Sequence, residues 1–381
     1  MISTRRLGIS ALLFLAWPGS APAQTLEKAV PAWTLPWDAD WVTAVSFVGP
    51  RRLAAGNNLG DILVWDLPEK AGGPAPLPVR RLAGHTNTVN RLVAPDARWL
   101  ISASSDHLIA YWDIQSSPAE PGIVVLNARA RSDAEAKKKK SPAALEAKVS
   151  VQKPSQVLTG HHDWVLGLSL TRDGNTLVSG DDKGEIIVWD RPAAKELRRW
   201  KLKGWAWAVA VEPEAKSLLV SERIPLIFDM GQMSALKLWN PQTGEVKADM
   251  SKEMKERMGA AAYSADGKWL AVGRGGEVDG LSGKITLLDP ATGKKLKELA
   301  PGHMYGVTDI VFHPDGKHLL SAGRDTCVKI WRLEDGKLVK DLGQPRGGQF
   351  KDWFHAVAVS PDGRLIAAAD MAGQVQVWTV P

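Results

Sequence analysis

The stretch LTGHHDWVLGLSLTRDGNTLVSGDDKGEIIVWD, residues 158–190, decides the fold. Two short runs of alternating aliphatic and small residues, VLGLSL and TLVSG, flank Asp173-Gly174, and a third run ends at Trp189-Asp190. Alternation with a period of two marks half-buried strands. Asp-Gly between such runs marks a tight turn, because Gly takes the positive φ that the turn requires. The same pairs stand at Asp266-Gly267, Asp315-Gly316 and Asp362-Gly363.

Working outward, the terminal Trp recurs. Apolar runs end at Trp65, Trp112, Trp189, Trp239, Trp331 and Trp378, and a seventh, ITLLD, puts Leu288 where the Trp belongs. Successive anchors lie 47, 77, 50, 49, 43 and 47 residues apart. The outlier becomes ordinary once an insertion near 115–153 is removed, and a fixed period of this size signals a repeat architecture. Each period reads as about four short antiparallel strands, and helical periodicity is confined to residues 251–258.

Gly-His pairs at Gly84-His85, Gly160-His161 and Gly302-His303 complete the pattern. With the period and the terminal Trp-Asp, they make the chain resemble the WD40-repeat family over residues 30–381. The resemblance implies an all-β fold: a seven-bladed β-propeller of four-stranded antiparallel blades around a central channel. Pro381 follows Trp378 by three residues, whereas VPAWTLPW at residues 30–37 precedes the first blade without belonging to it. The family layout then implies that this N-terminal strand closes the last blade.

Ser, His and Asp residues repeat in step with the anchors. The sets are His85, Ser102, Asp106 and Trp112; His161, Ser179, Asp182 and Trp189; and His303, Ser321, Asp325 and Trp331. Such residues suggest a hydrolase triad, which geometry rather than order defines. Because a Trp joins each set and the sets recur, the resemblance implies structural tetrads, hydrogen-bond chains that satisfy buried polar groups. Ala55, Val272 and Ala368 fall where the Ser belongs in blades one, five and seven. No Walker-type loop, zinc signature, EF-hand loop or nucleophile elbow appears. No catalytic residue, metal site or cofactor is expected; adjacent His161-His162-Asp163 are poorly placed to converge on one ion.

The ends and the charge bound the setting. Arg5 and Arg6, an apolar run at residues 7–17 and Ala21-Pro22-Ala23 have the layout of an export signal. Residues 1–23 are expected to be removed after Ala23, leaving a periplasmic or secreted propeller at 24–381; the export route stays open. The single Cys327 offers no intramolecular disulfide. The formal charge of +6 lies in the leader (+2) and in residues 128–153 (+5), leaving the remainder near neutral. That distribution argues against a nucleic-acid-binding face. The basic stretch AKKKKSPAALEAK has little to bury and is expected to be disordered or to fray into a short helix, within a flexible insertion at about 115–155, with weak contact to anionic surfaces.

Alignment on the anchors brings Trp41, Trp164, Trp205 and Trp353 to one position, immediately before the innermost strand, with Tyr305 one residue off. In the family that position lies at the channel mouth on the top face, where partners dock. A long apolar loop at 221–239, containing Phe228, falls on the same face. The expected function is a non-enzymatic scaffold, a monomer, that binds a protein or peptide partner there. Two rivals are a glycan- or small-ligand-binding propeller, with sugars stacked on the Trp set, and a propeller hydrolase or dehydrogenase. The enzyme reading needs convergent ionisable groups in the channel, for which the alignment offers His355 and scattered acids such as Asp309.

Overall fold

The computed structural model describes residues 25–37, 40–116, 120–224, 233–254, 257–275, 283–343 and 353–381. Within the deciding stretch, Val165–Leu170 pairs antiparallel with Thr176–Asp181, which pairs with Glu185–Asp190; Lys195–Lys201 adds the fourth strand. Gly174 adopts φ +69° in its Asp-Gly turn, and Gly267, Gly316 and Gly363 repeat that conformation within a few degrees.

This unit occurs seven times. The innermost strands are Val42–Phe47, Val89–Val93, Val165–Leu170, Trp205–Val211, Met258–Tyr263, Val307–Phe312 and Phe354–Val359. Each touches the next, and the first touches the last. A four-stranded sheet has two faces and cannot cover either itself. The buried apolar residues therefore form seven clusters, each wedged between neighbouring blades. Close blade packing needs small residues. A β-carbon on Gly56 would lie 2.6 Å from Val89 Cγ1 of the next blade, and one on Gly273 2.6 Å from Val307 Cγ1.

The ring closes as the N-terminal segment predicts. Val30–Leu35 runs antiparallel to Val375–Thr379, giving blade seven its fourth strand from the start of the chain. Trp33, Leu35 and Trp37 are buried in the cluster shared by blades seven and one, with the Trp37 ring 5.7 Å from that of Trp65.

Two expectations are corrected. The insertion is folded along much of its length: Glu120–Val125 and Glu146–Gln152 form a hairpin around a helix, Ala128–Ala136. Its second strand pairs in parallel with Arg80–Leu82, so the sheet of blade one has six strands. The cause is an alternation that the Lys residues mask. Leu126, Ala147 and Val149 turn into the seven-to-one cluster, while Lys137, Lys138, Lys139 and Lys140 stay exposed. Blade two receives its fourth strand, Gln156–Leu158, only after this detour. Near residues 251–258 there is a turn followed by the strand Met258–Tyr263, not a helix, among the described residues.

Candidate docking site at the channel mouth

The repeated Ser, His, Asp and Trp residues do meet. Trp112 Nε1 donates to Ser102 Oγ at 2.8 Å, Ser102 Oγ lies 2.7 Å from His85 Nε2, and His85 Nδ1 lies 2.8 Å from Asp106. In blade six the corresponding distances are 2.8 Å for Trp331 to Ser321, 2.7 Å for Ser321 to His303 and 2.8 Å for His303 to Asp325. Because the Trp N–H occupies a lone pair of the Ser, the Ser hydroxyl donates to the imidazole, which donates from Nδ1 to the carboxylate. Each of these Ser residues is fully buried. A hydroxyl committed on both sides and closed to solvent satisfies packing and offers no nucleophile to a substrate.

Blade three corrects one assignment. His161 Nδ1 lies 3.0 Å from Asp181, not Asp182, while Ser179 accepts from Trp189 at 2.8 Å and lies 2.6 Å from His161 Nε2. Residues two apart on a strand share a face, so Asp181 joins Ser179 whereas Asp182 is turned away. Burial opposes ionisation of Asp181. The hydrogen bond from His161 and the N–H groups of Glu185 and Lys183 outweigh it and hold the carboxyl below its ordinary value of 3.8. Asp106 and Asp325 are lowered by the same balance with their own histidines. Where the Ser is missing, the cost is visible: Trp65 Nε1 beside Ala55 and Trp239 Nε1 beside Val220 are buried without a hydrogen bond.

His161, Asp181 and Glu185 bring ligand atoms within 4.8 Å of one another. Both nitrogens of His161 are engaged in the tetrad, and Glu185 holds His162 Nδ1 at 2.9 Å and Arg199 at 3.4 Å. A metal there would have to break the tetrad.

The aligned aromatic position is real in three dimensions. In six blades its carbonyl accepts an N–H from the end of the second strand, as Trp41 does from Asn58 (3.1 Å), Trp164 from Asp182 (2.9 Å) and Trp353 from Met371 (2.9 Å). Trp205 stands opposite Arg223 in the same place. Gly306 holds the position in blade six, leaving Tyr305 one residue away at φ +66°. Trp41 is 45% exposed and Trp164 48%. Trp205, Trp353 and Tyr305 are half-buried. The blade-four loop residue Phe228 lies outside the described residues.

Just beyond that position every innermost strand carries a bulge, which leaves one residue per blade out of register. These residues are Thr43, Asn90, Leu166, Trp207, Gly259, Thr308 and His355, and all seven line one cavity of about 340 Å³ at the end of the channel where the innermost strands begin. Trp41 and Trp353 line it too; Trp164 and Trp205 do not. Three arginines complete its wall. Arg223 lies over Trp207 with its guanidinium 3.7 Å from the ring centroid, and Arg324 lies over Trp353 at 4.3 Å. The third, Arg91 of blade two, reaches Asp309 of blade six at 3.2 Å.

These two blades stand on opposite sides of the channel, so the ion pair bars it. Arg91 is shared between the mouth and a lower chamber of about 580 Å³, which Asp309 also lines. Burial drives the Asp309 carboxyl above its ordinary range, against the attraction of Arg91 and the N–H of Val357. His355 is pushed down to about 4, first by burial and then by the charges of Arg324 and Arg91. Its Nε2 is buried and makes no hydrogen bond. Alignment offered His355 and Asp309 as ionisable groups at the channel, where the structure puts them, and did not single out the bulge set or the arginines. The available signal was positional: each bulged residue stands two after the aromatic position.

The WD40 family pattern, described as WD domain, G-beta repeat, matches residues 77–113, 152–190, 293–332 and 346–379. These segments end on blades two, three, six and seven, the first three of which carry tetrads. A rice (Oryza sativa subsp. japonica) protein, small ribosomal subunit protein RACK1y, is 26% identical over 353 residues, covering 78% of this chain and 94% of its own length. Target of rapamycin complex subunit wat1 of Schizosaccharomyces pombe is 23% identical over 246 residues, covering 62% of this chain and 74% of its own. Human striatin-4 is 25% identical over 238 residues, which span 29% of that protein. Two of these relatives are, by name, components of larger assemblies, a small ribosomal subunit and a target of rapamycin complex.

Proposed function

Since the chain belongs to the WD40-repeat family, we propose that it is a non-enzymatic interaction propeller that receives a protein or peptide partner at the mouth of its channel. The observation that carries the reading is the mouth itself: a cavity to which every blade contributes one bulged residue, rimmed by Trp41 and Trp353. Aromatic side chains with one exposed edge supply large contact area at low entropic cost, and Trp and Arg dominate binding hot spots. The exposed Trp41 and Trp164 extend the rim outward.

The rival readings have less support. His355 has no carboxylate among the described residues that line the mouth, so the general base of a hydrolase lacks an orienting acid there. Sugar stacking needs open ring faces, and among the aligned tryptophans Trp353 has the guanidinium of Arg324 over its ring. The leader-like residues 1–23 support action in an exported compartment. A ring with paired first and last blades has no edge that needs a second copy, which supports a monomer. The exposed Lys137–140 run supports weak contact with anionic surfaces.

Affinity capture tests the reading. The bait is the mature chain, residues 24–381, beside a variant in which Trp41, Trp164, Trp205 and Trp353 are replaced by Ala, after circular dichroism shows both folded. A partner retained by the first and lost by the second is the expected result. Equal retention would move docking away from the mouth.

A further inference from the structure

We propose that Glu120–Val125, the outer edge of blade one, takes up an extended acidic segment of a protein partner as one more strand. This surface is separate from the channel mouth, and the proposal does not depend on docking there.

The outermost strand of a sheet has an unpaired side, which folded proteins protect with bulges, charges, proline or shortness. In blades three to six the outer strand carries both a bulge and Lys residues. Blade seven is closed by a bulged strand that contains Pro31. The outer strand of blade two is three residues long. Blade one is different. Glu120–Val125, the last described strand of its sheet, pairs with Glu146–Gln152 over six residues without a bulge. Pro121 stands near its start, and Gly-Ile-Val-Val follows with no charge.

The register shows which groups face outward. Leu126 donates its N–H to Leu145, so in this antiparallel ladder Leu126, Val124 and Gly122 turn their main chain toward the hairpin partner. Ile123 and Val125 therefore turn theirs away from it. Ile123 is 59% exposed and Val125 38%, whereas Val124 packs on the cluster between blades seven and one. A strand laid along this edge gains main-chain hydrogen bonds from Ile123 and Val125 and covers their side chains, which is peptide recognition by strand addition.

Charge names the occupant. Residues 120–152 carry seven Lys or Arg against four Asp or Glu. Lys137, Lys138, Lys139 and Lys140 are exposed at the end of the helix that starts just beyond Val125. Such a surface attracts an acidic segment. A second copy of the chain fits poorly: antiparallel self-pairing about Ile123 would set Val125 against Pro121, which has no N–H, and would bring two basic insertions together.

The test uses the purified chain and an array of acetylated, amidated peptides. Each has a run of about six residues that alternates Val or Ile with varied polar residues, and ends in either Asp and Glu or the matching Asn and Gln. Vesicles of phosphatidylserine and phosphatidylcholine form a further arm. The acidic members are expected to be retained in preference to their amide counterparts, and to slow amide hydrogen exchange at Ile123 and Val125. Ile123→Pro and Val125→Pro each remove one outward N–H and spare the inward ladder, as Pro is tolerated on an exposed edge. Each is expected to weaken retention about tenfold in protein shown folded by circular dichroism; the exchange measurement decides if neither folds. Equal retention of acidic and amide members overturns the proposal, as does retention without slower exchange at Ile123 and Val125 or undiminished in a folded Pro variant. A dimer in sedimentation that Ile123→Pro dissociates, binding to vesicles alone, or no retention of any peptide overturns it as well.

Discussion

The fully buried Ser321 hydroxyl serves two buried partners at once, Trp331 at 2.8 Å and His303 at 2.7 Å. Ser321→Ala strands both, at about 1–3 kcal/mol for each group. Urea denaturation should show a lowered midpoint without a change in slope. Blades one and four already carry that defect at Trp65 and Trp239, so the fold tolerates two such losses. The tetrad acids make stability depend on pH. Asp106, Asp181 and Asp325 are each held below the ordinary carboxylate value. A group depressed in the folded state contributes stability that is present above its unfolded pKa and lost as pH falls through its folded one. The urea midpoint should therefore not change through these groups between pH 7 and about 5, and should fall progressively below about 4. Asp181→Asn should reduce that fall, and a profile unchanged by it would remove Asp181 from the linkage. The tetrads were legible in sequence except for this acid. Offset from the anchor puts Lys183 in the place of Asp106, and only the shared strand face identifies Asp181 over Asp182.

Elements show where reading by charge misleads. The insertion is rich in Lys, yet alternate residues of Glu146–Gln152 are apolar, and Ala147 and Val149 are buried. Limited trypsin treatment should cut first at Lys137, Lys138, Lys139 or Lys140, which are exposed between the helix and the second strand. The nicked chain should keep both parts together, because each strand of the hairpin remains paired. Loss of either part on gel filtration would mean that the hairpin is not anchored to blade one. The closing strand was legible because a segment rich in Trp stood outside the period. Deletion of residues 24–37 removes its ladder with Val375–Thr379 and the buried Trp33, Leu35 and Trp37. The melting temperature should drop sharply, and an unchanged melting curve would contradict closure by this strand. The bulges, in contrast, were not legible: one extra residue per innermost strand breaks the alternation on which strand reading depends.

At the scale of the whole molecule, the ring was readable because its period is written seven times, while the mouth is written once. Its residues are drawn from all seven blades, between Trp41 and His355, and only closure of the ring brings them to one axis. The cross-channel pair of Arg91 and Asp309 joins positions 218 residues apart, for which no local signal exists. The proposed removal of residues 1–23 is checked by mass spectrometry of the protein purified from its host, which should find an N-terminus at Gln24; a retained leader would contradict that proposal. The central claim, that partners dock at the mouth, is tested most directly by oxidative footprinting of the captured complex. Binding should protect Trp41 and Trp353, with Trp164 following if contact reaches the outer rim, while the half-buried Trp200 on the outer strand of blade three keeps its reactivity. Protection of Trp200 or of the insertion hairpin with Trp41 unchanged would contradict the claim.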